Sequence, residues 1–198
     1  MDHNHTNIPE KSTTTELPNI TTLSVVSGVL WIVIGYAIIH FLHEQTFFEV
    51  LNMGSSIVIQ ILSGLLTGWV FGIIGRWLFR SPQFRDTLDD YYIVKQLKML
   101  SLSNAQIVQV SMIAGISEEI LFRAAIQPII GIWLTSLIFI GVHGYIRFKT
   151  LGHSIFTLFT FLLSVLLGLL FIYFGIISAM IAHAIYDIIL LKELKSSD

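Results

Sequence analysis

Two adjacent carboxylates and an arginine, Glu118, Glu119 and Arg123, sit inside a stretch of chain that is otherwise apolar. Further on, Phe139 is followed four residues later by His143, and His183 four residues later by Asp187. On a helix, residues four apart share a face, so Glu119 can pair with Arg123, and His183 can meet Asp187. Glu118 is turned from Glu119 by about 100° around the same helix, so the two glutamates need not do the same work. A carboxylate beside imidazoles and shielded from bulk water can take the proton of a water molecule as that water attacks a carbonyl. Histidine can then supply a donor to the oxyanion that forms. Glu118, His143, His183 and Asp187 suit those tasks, whereas Glu119 and Arg123 suit fixing the helix and setting its electrostatics. The same four residues are acceptable zinc ligands, so a metal site that activates water is an equal reading of their types. No His-Glu-x-x-His pair occurs.

The elements that must position these groups are set by composition. Of the 198 residues, 54% are hydrophobic and only 12% charged, against about 25% charged in an ordinary soluble domain. The mean hydropathy is +0.78. These values describe an integral membrane protein of the all-α class, a polytopic helical bundle. A helix crosses the hydrocarbon core with about 20 apolar residues. Such stretches run approximately over residues 22–42, 50–79, 104–127, 131–148, 154–173 and 175–191, which predicts six spans. Lysine and arginine collect on the cytoplasmic side of membrane proteins. With the N-terminus inside, Lys11, Arg76, Arg80, Arg85, Lys95, Lys98, Arg147, Lys149, Lys192 and Lys195 all fall there, leaving Arg123 as the exception. Both termini are therefore expected in the cytoplasm, and the protein in the cell membrane. Counted from the external ends, Glu118, His143 and His183 lie roughly 14, 18 and 12 Å deep at 1.5 Å per residue. Ionisable groups at that depth are costly and mark function. Hydrogen bonding between helices explains any one pair, but not why all these groups meet in one layer.

The remaining sequence is read in four segments: a polar, disordered tail over 1–21, two spans and a connector over 22–103, the reactive core over 104–191, and a C-terminal tail over 192–198. His3 and His5 in the first tail are read as incidental. Ser81 to Ser103 opens with a cap and a first-turn proline. It interleaves Tyr91, Val94, Leu97 and Met99 with Arg85, Lys95 and Lys98, as does a helix on the lipid surface or a solvated connector. Gly64, Gly68 and Gly72 strip one helical face for close packing, and Ser56, Gln60 and Ser63 are expected to bond across helices. The absence of cysteine excludes thiolate chemistry, and a net charge of −2 with scattered basic residues excludes a nucleic-acid partner.

The three motifs, Glu118-Glu119 with Arg123, Phe139 with His143, and His183 with Asp187, resemble the CPBP intramembrane proteases, named for CAAX proteases and bacteriocin-processing enzymes and also called abortive-infection-like proteins. The surrounding EEILFRAAIQ (118–127) and SAMIAHAIYDI (178–188) are similar to that family too. The resemblance implies a cavity within the bilayer and peptide-bond hydrolysis, with Glu118 activating water beside His143, and His183 with Asp187 supporting the oxyanion. It implies either a zinc cofactor or a metal-free glutamate mechanism. The eukaryotic CAAX-processing members have asparagine at the position of Asp187; a carboxylate donates only when protonated, which shifts Asp187 toward holding a ligand or orienting histidine. The short six-span chain looks like prokaryotic members of bacteriocin self-immunity, peptide maturation or regulated proteolysis, with membrane lipid around it and membrane-associated peptides or proteins, not prenylated ones, as expected substrates. The alternative is a non-catalytic immunity or scaffold protein that retains the polar centre. A transporter fits less well, because no internal repeat of the spans is visible.

Overall fold

Backbone groups in lipid must be satisfied within their own segment, and the long apolar stretches of this chain accordingly fold as helices. The computed structural model describes residues 20–100 and 102–196, and among them no strand occurs. Residues 1–19, with His3, His5 and Lys11, lie outside the described residues, as do Ser101, Ser197, Asp198 and the side chains of Pro82, Gln83 and Arg85. The elements are α1 (Ile20–Leu42), α2 (Phe47–Asn52), α3 (Ile57–Arg80), α4 (Pro82–Asp89), α5 (Tyr92–Met99), α6 (Asn104–Glu119), a π-helical turn (Ile120–Ile126), α7 (Gln127–Val142), α8 (Leu151–Tyr173) and α9 (Ile176–Ser196).

Four helices are long and apolar enough to cross a membrane: Ile20–Leu42, Ile57–Arg80, Leu151–Tyr173 and the 39-residue stretch Asn104–Val142. The last of these covers two of the expected spans. Gly131 breaks it with φ 78° and ψ 166°, a conformation that favours glycine. Phe122 and Phe139 would stand about 25 Å apart on a straight helix, yet their rings meet edge to face at 5.0 Å. The stretch is therefore a hairpin, with α7 running back along the π turn and against α8. The α9 helix is not among the four apolar helices. Its inner residues, including Ala179, Ala182, His183 and Ala184, are buried against other helices, so it does not need lipid-compatible side chains all round.

Expected boundaries changed in three places. The stretch 50–79 is not one helix: α2 ends at Asn52 and α3 begins at Ile57. Between them Ser55 N–H donates to Phe174 O at 2.8 Å, pinning the break to the α8–α9 turn. Gln60 does bridge helices, donating to Ser55 O at 2.9 Å and accepting from Ile177 N at 3.2 Å, whereas the Ser63 hydroxyl bonds to Gln60 O of its own helix. The connector 81–103 folds as two short helices, α4 and α5, with one side turned to the protein and Tyr92 and Met99 exposed on the other. Phe84, Leu88, Tyr91 and Val94 are buried in the main apolar cluster with Phe79, Phe156, Phe159 and Leu190. Finally, α9 continues five residues past Leu191, with Glu193 buried between Arg76 (2.8 Å) and Arg80 (2.7 Å) of α3.

The glycine stripe of α3 packs against α9, as its spacing predicts. A Cβ at Gly68 would lie 2.5 Å from the backbone oxygen of Ala182, and one at Gly64 2.7 Å from that of Ser178. On the opposite side Gly115 of α6 comes equally close, 2.8 Å from Met180 O and 2.9 Å from Ala184 N. The backbone of α9 around His183 is thus gripped between two bare helix faces. Gly68→Ala should therefore destabilise the protein by about 1–3 kcal/mol through overpacking. Gly141→Ala, whose Cβ would meet only Ile146 at 3.6 Å, should not. Thermal unfolding in detergent of the two variants checks this, and equal midpoints would refute the packing account.

Candidate active site

Each of the six polar residues sits on an element whose local sequence fixes its direction. Ser103 opens α6 with a reciprocal capping box to Gln106, and the helix then delivers Glu118 and Glu119 at its far end. The chain widens into the π turn immediately after them, a device common at functional sites. Arg123 lies within that turn. His143 closes α7 as its C-cap residue, while His183 and Asp187 stand one turn apart on α9.

The structure brings all six together. Glu119 and Arg123 are both 0% exposed. Arg123 Nε donates to Glu119 Oε2 at 2.9 Å, its Nη2 donates to Ser164 Oγ of α8 at 3.0 Å, and its guanidinium lies 5.2 Å from the centre of the Phe139 ring. The other oxygen of Glu119 faces His183 Nδ1 at 2.8 Å. An arginine cannot lose its proton, so Glu119 opposite it is the acceptor and His183 Nδ1 is the donor. That bond turns His183 Nε2 toward Asp187 Oδ2 at 3.6 Å and Glu118 Oε2 at 4.0 Å. His143 Nδ1 lies 2.7 Å from Phe139 O. Carbonyl oxygen only accepts, so the proton is on Nδ1, and Nε2 faces Glu118 Oε2 at 3.4 Å.

Glu118 Oε2 is buried without a hydrogen-bond partner among the described residues. It faces two imidazole nitrogens across gaps too long for a good hydrogen bond. An unpaired buried acceptor is costly, and the gap suits a small donor such as water. The site opens on a cavity of about 860 Å³ whose wall includes Glu118, His143, His183 and Asp187 together with apolar groups such as Leu23, Ile93, Leu97 and Leu191. Glu118, His143, His183 and Asp187 are the residues that would hold a zinc ion, if one binds. Among the described residues no group of three or more His, Asp or Glu side chains is arranged to hold a metal ion.

Two participants are not signalled in the sequence. Ser164 is one of several small hydroxyl residues in an apolar helix, and nothing in its spacing marks it as the partner of Arg123. Tyr145 lies in the loop after α7, and its ring stacks on His143 at 5.4 Å.

No curated protein and no solved structure matches the chain. Residues 101–189 match the family model described as Type II CAAX prenyl endopeptidase Rce1-like. That stretch holds both glutamates, Arg123, Phe139, His143, His183 and Asp187, so over these residues the chain is similar to the CPBP/CAAX proteases, and the family match falls on the same part of the chain as the three motifs.

Proposed function

We propose that the protein is an intramembrane endopeptidase that hydrolyses peptide bonds of membrane-associated peptides or proteins, with Glu118 as the general base. The observation that carries this reading is the buried, unpartnered Glu118 Oε2 facing the Nε2 atoms of His143 and His183 at the wall of a cavity large enough for a peptide segment. A water held between Glu118 and His143 gives its proton to Oε2, and its oxygen forms a bond to the scissile carbonyl carbon. The carbonyl electron pair moves onto oxygen. As the carbon–nitrogen bond breaks, Glu118 returns the proton to the leaving amine. Glu119 fixes the ring of His183 through Nδ1, and Asp187 holds the Nε2 side, so both carboxylates act as positioning residues. In this scheme protons move only between side-chain atoms, water and substrate.

Six crossings with both termini in the cytoplasm place the basic ends of α3, α5 and α9 at the inner face of the cell membrane. Peptide maturation or bacteriocin self-immunity is the proposed cellular setting, supported by the motif resemblance. The test is cleavage of a mixed library of transmembrane peptides, prenylated and unprenylated, by the full chain in liposomes, read by mass spectrometry. His143→Ala and His183→Ala should each lower the rate at least 10²-fold, and prior treatment with a chelator should leave the wild type active. Stoichiometric zinc lost together with activity would overturn the metal-free scheme. A cellular phenotype that survives in both folded variants would favour the non-catalytic scaffold instead.

A further inference from the structure

The reactive centre is short of hydrogen-bond donors. Glu118, Glu119 and Asp187 as carboxylates only accept. Two of the four imidazole nitrogens are committed elsewhere, His143 Nδ1 to Phe139 O and His183 Nδ1 to Glu119. A carbonyl oxygen that gains negative charge among three carboxylates needs a neutral or cationic donor aimed at it. We infer that the phenolic O–H of Tyr145 is such a donor, bonding to the carbonyl oxygen of the bound peptide and strengthening that bond as the oxyanion forms. The inference rests on the reading of Glu118 as the base.

Tyr145 lies in irregular backbone, yet it is held as firmly as a helical residue. Gly144, with φ 71°, turns the chain out of α7. The Tyr145 N–H then donates to Ile140 O at 2.9 Å, and the Thr157 hydroxyl of α8 donates to Tyr145 O at 2.7 Å. The ring is fixed on three sides: stacked on His143 at 5.4 Å, and edge to face against Phe156 at 5.2 Å and Tyr91 at 6.1 Å. The residue lines the same cavity as the four reactive groups, and its phenol interacts electrostatically with Asp187 and Glu118. Among the described residues its hydroxyl has no hydrogen-bond partner. Tyr186 also lines the cavity, and both tyrosines pack on the same apolar cluster, but the ring of Tyr186 meets Phe159 at 6.2 Å whereas that of Tyr145 stacks on His143.

The experiment compares wild type, Tyr145→Phe and Tyr145→Leu as full chains in liposomes, using a peptide that the wild type cleaves in the library above. Tyr145→Phe keeps the stack on His143 and removes only the hydroxyl. It should lower kcat about 10²-fold, in the range seen when one oxyanion donor is removed, with KM and the thermal midpoint unchanged. A merely structural tyrosine predicts the opposite pattern, with Tyr145→Phe equal to wild type and Tyr145→Leu impaired, and that result overturns the inference while leaving the endopeptidase reading intact. An inactive wild type overturns both.

Discussion

Glu118→Gln is expected to reduce peptide cleavage by about 10³-fold, within the range attributed to a general base, while leaving the protein as stable as the wild type. The substitution is nearly isosteric and removes one property, the ability to take a proton from water. Because Glu118 Oε2 has no hydrogen-bond partner among the described residues, no bond is lost on folding. The new amide group would instead find His143 Nε2 across the 3.4 Å gap. Initial rates in liposomes, with thermal unfolding of the same preparation, check both halves. Cleavage at the wild-type rate by a folded Glu118→Gln protein would remove Glu118 from the chemistry.

The neighbouring residue should behave in the opposite way. Arg123→Ala is expected to cost about 3–5 kcal/mol, the usual penalty for stripping one partner from a buried ion pair. Glu119 is wholly enclosed, with one oxygen on Arg123 and the other on His183. Without the guanidinium its charge would face only an imidazole, and Ser164 and the Phe139 ring would lose their contacts as well. Glu119→Gln should be similarly damaging, because it leaves Arg123 charged and unpaired. The double substitution Glu119→Gln with Arg123→Ala should cost less than the sum of the two, because neither charge then remains. Strict additivity in detergent unfolding would show that the two residues are not energetically coupled.

These contrasting expectations for adjacent glutamates were legible in part from spacing alone. The i,i+4 relation of Glu119 to Arg123 and the 100° offset of Glu118 separate their roles before any contact is known, and the structure seats them accordingly. The α3 glycine stripe was equally legible, because an interval of four has one geometric meaning on a helix. What spacing could not convey was anything decided by a distant partner. Ser164 is chemically ordinary until Arg123 lies against it. Gly115 is a single glycine whose purpose depends on α9 crossing there. Tyr91 and Val94 looked amphipathic in sequence, and became core only because α4 and α5 fold back onto Phe156 and Phe79. The hairpin at Gly131 lies where the expected spans 104–127 and 131–148 meet, but the π turn before it leaves no mark in composition.

That π turn also makes the centre sensitive to chain length. A π turn is an α-helix holding one residue more than its hydrogen bonding needs. Deleting any one residue of 120–126 would allow ordinary α-helical bonding to run from Asn104 into Gln127, a locally favourable outcome. The helix faces before and after the turn would keep nearly the same relative direction, because the wider turn has already absorbed the extra residue. A deletion among residues 120–122 would instead shorten the interval from Glu119 to Arg123, which the present chain sets at four residues with Nε 2.9 Å from the carboxylate. The extra residue of the π turn therefore sets where the buried guanidinium of Arg123 lies between Glu119 and Ser164, and chain length in this segment is a determinant of the ion pair in its own right.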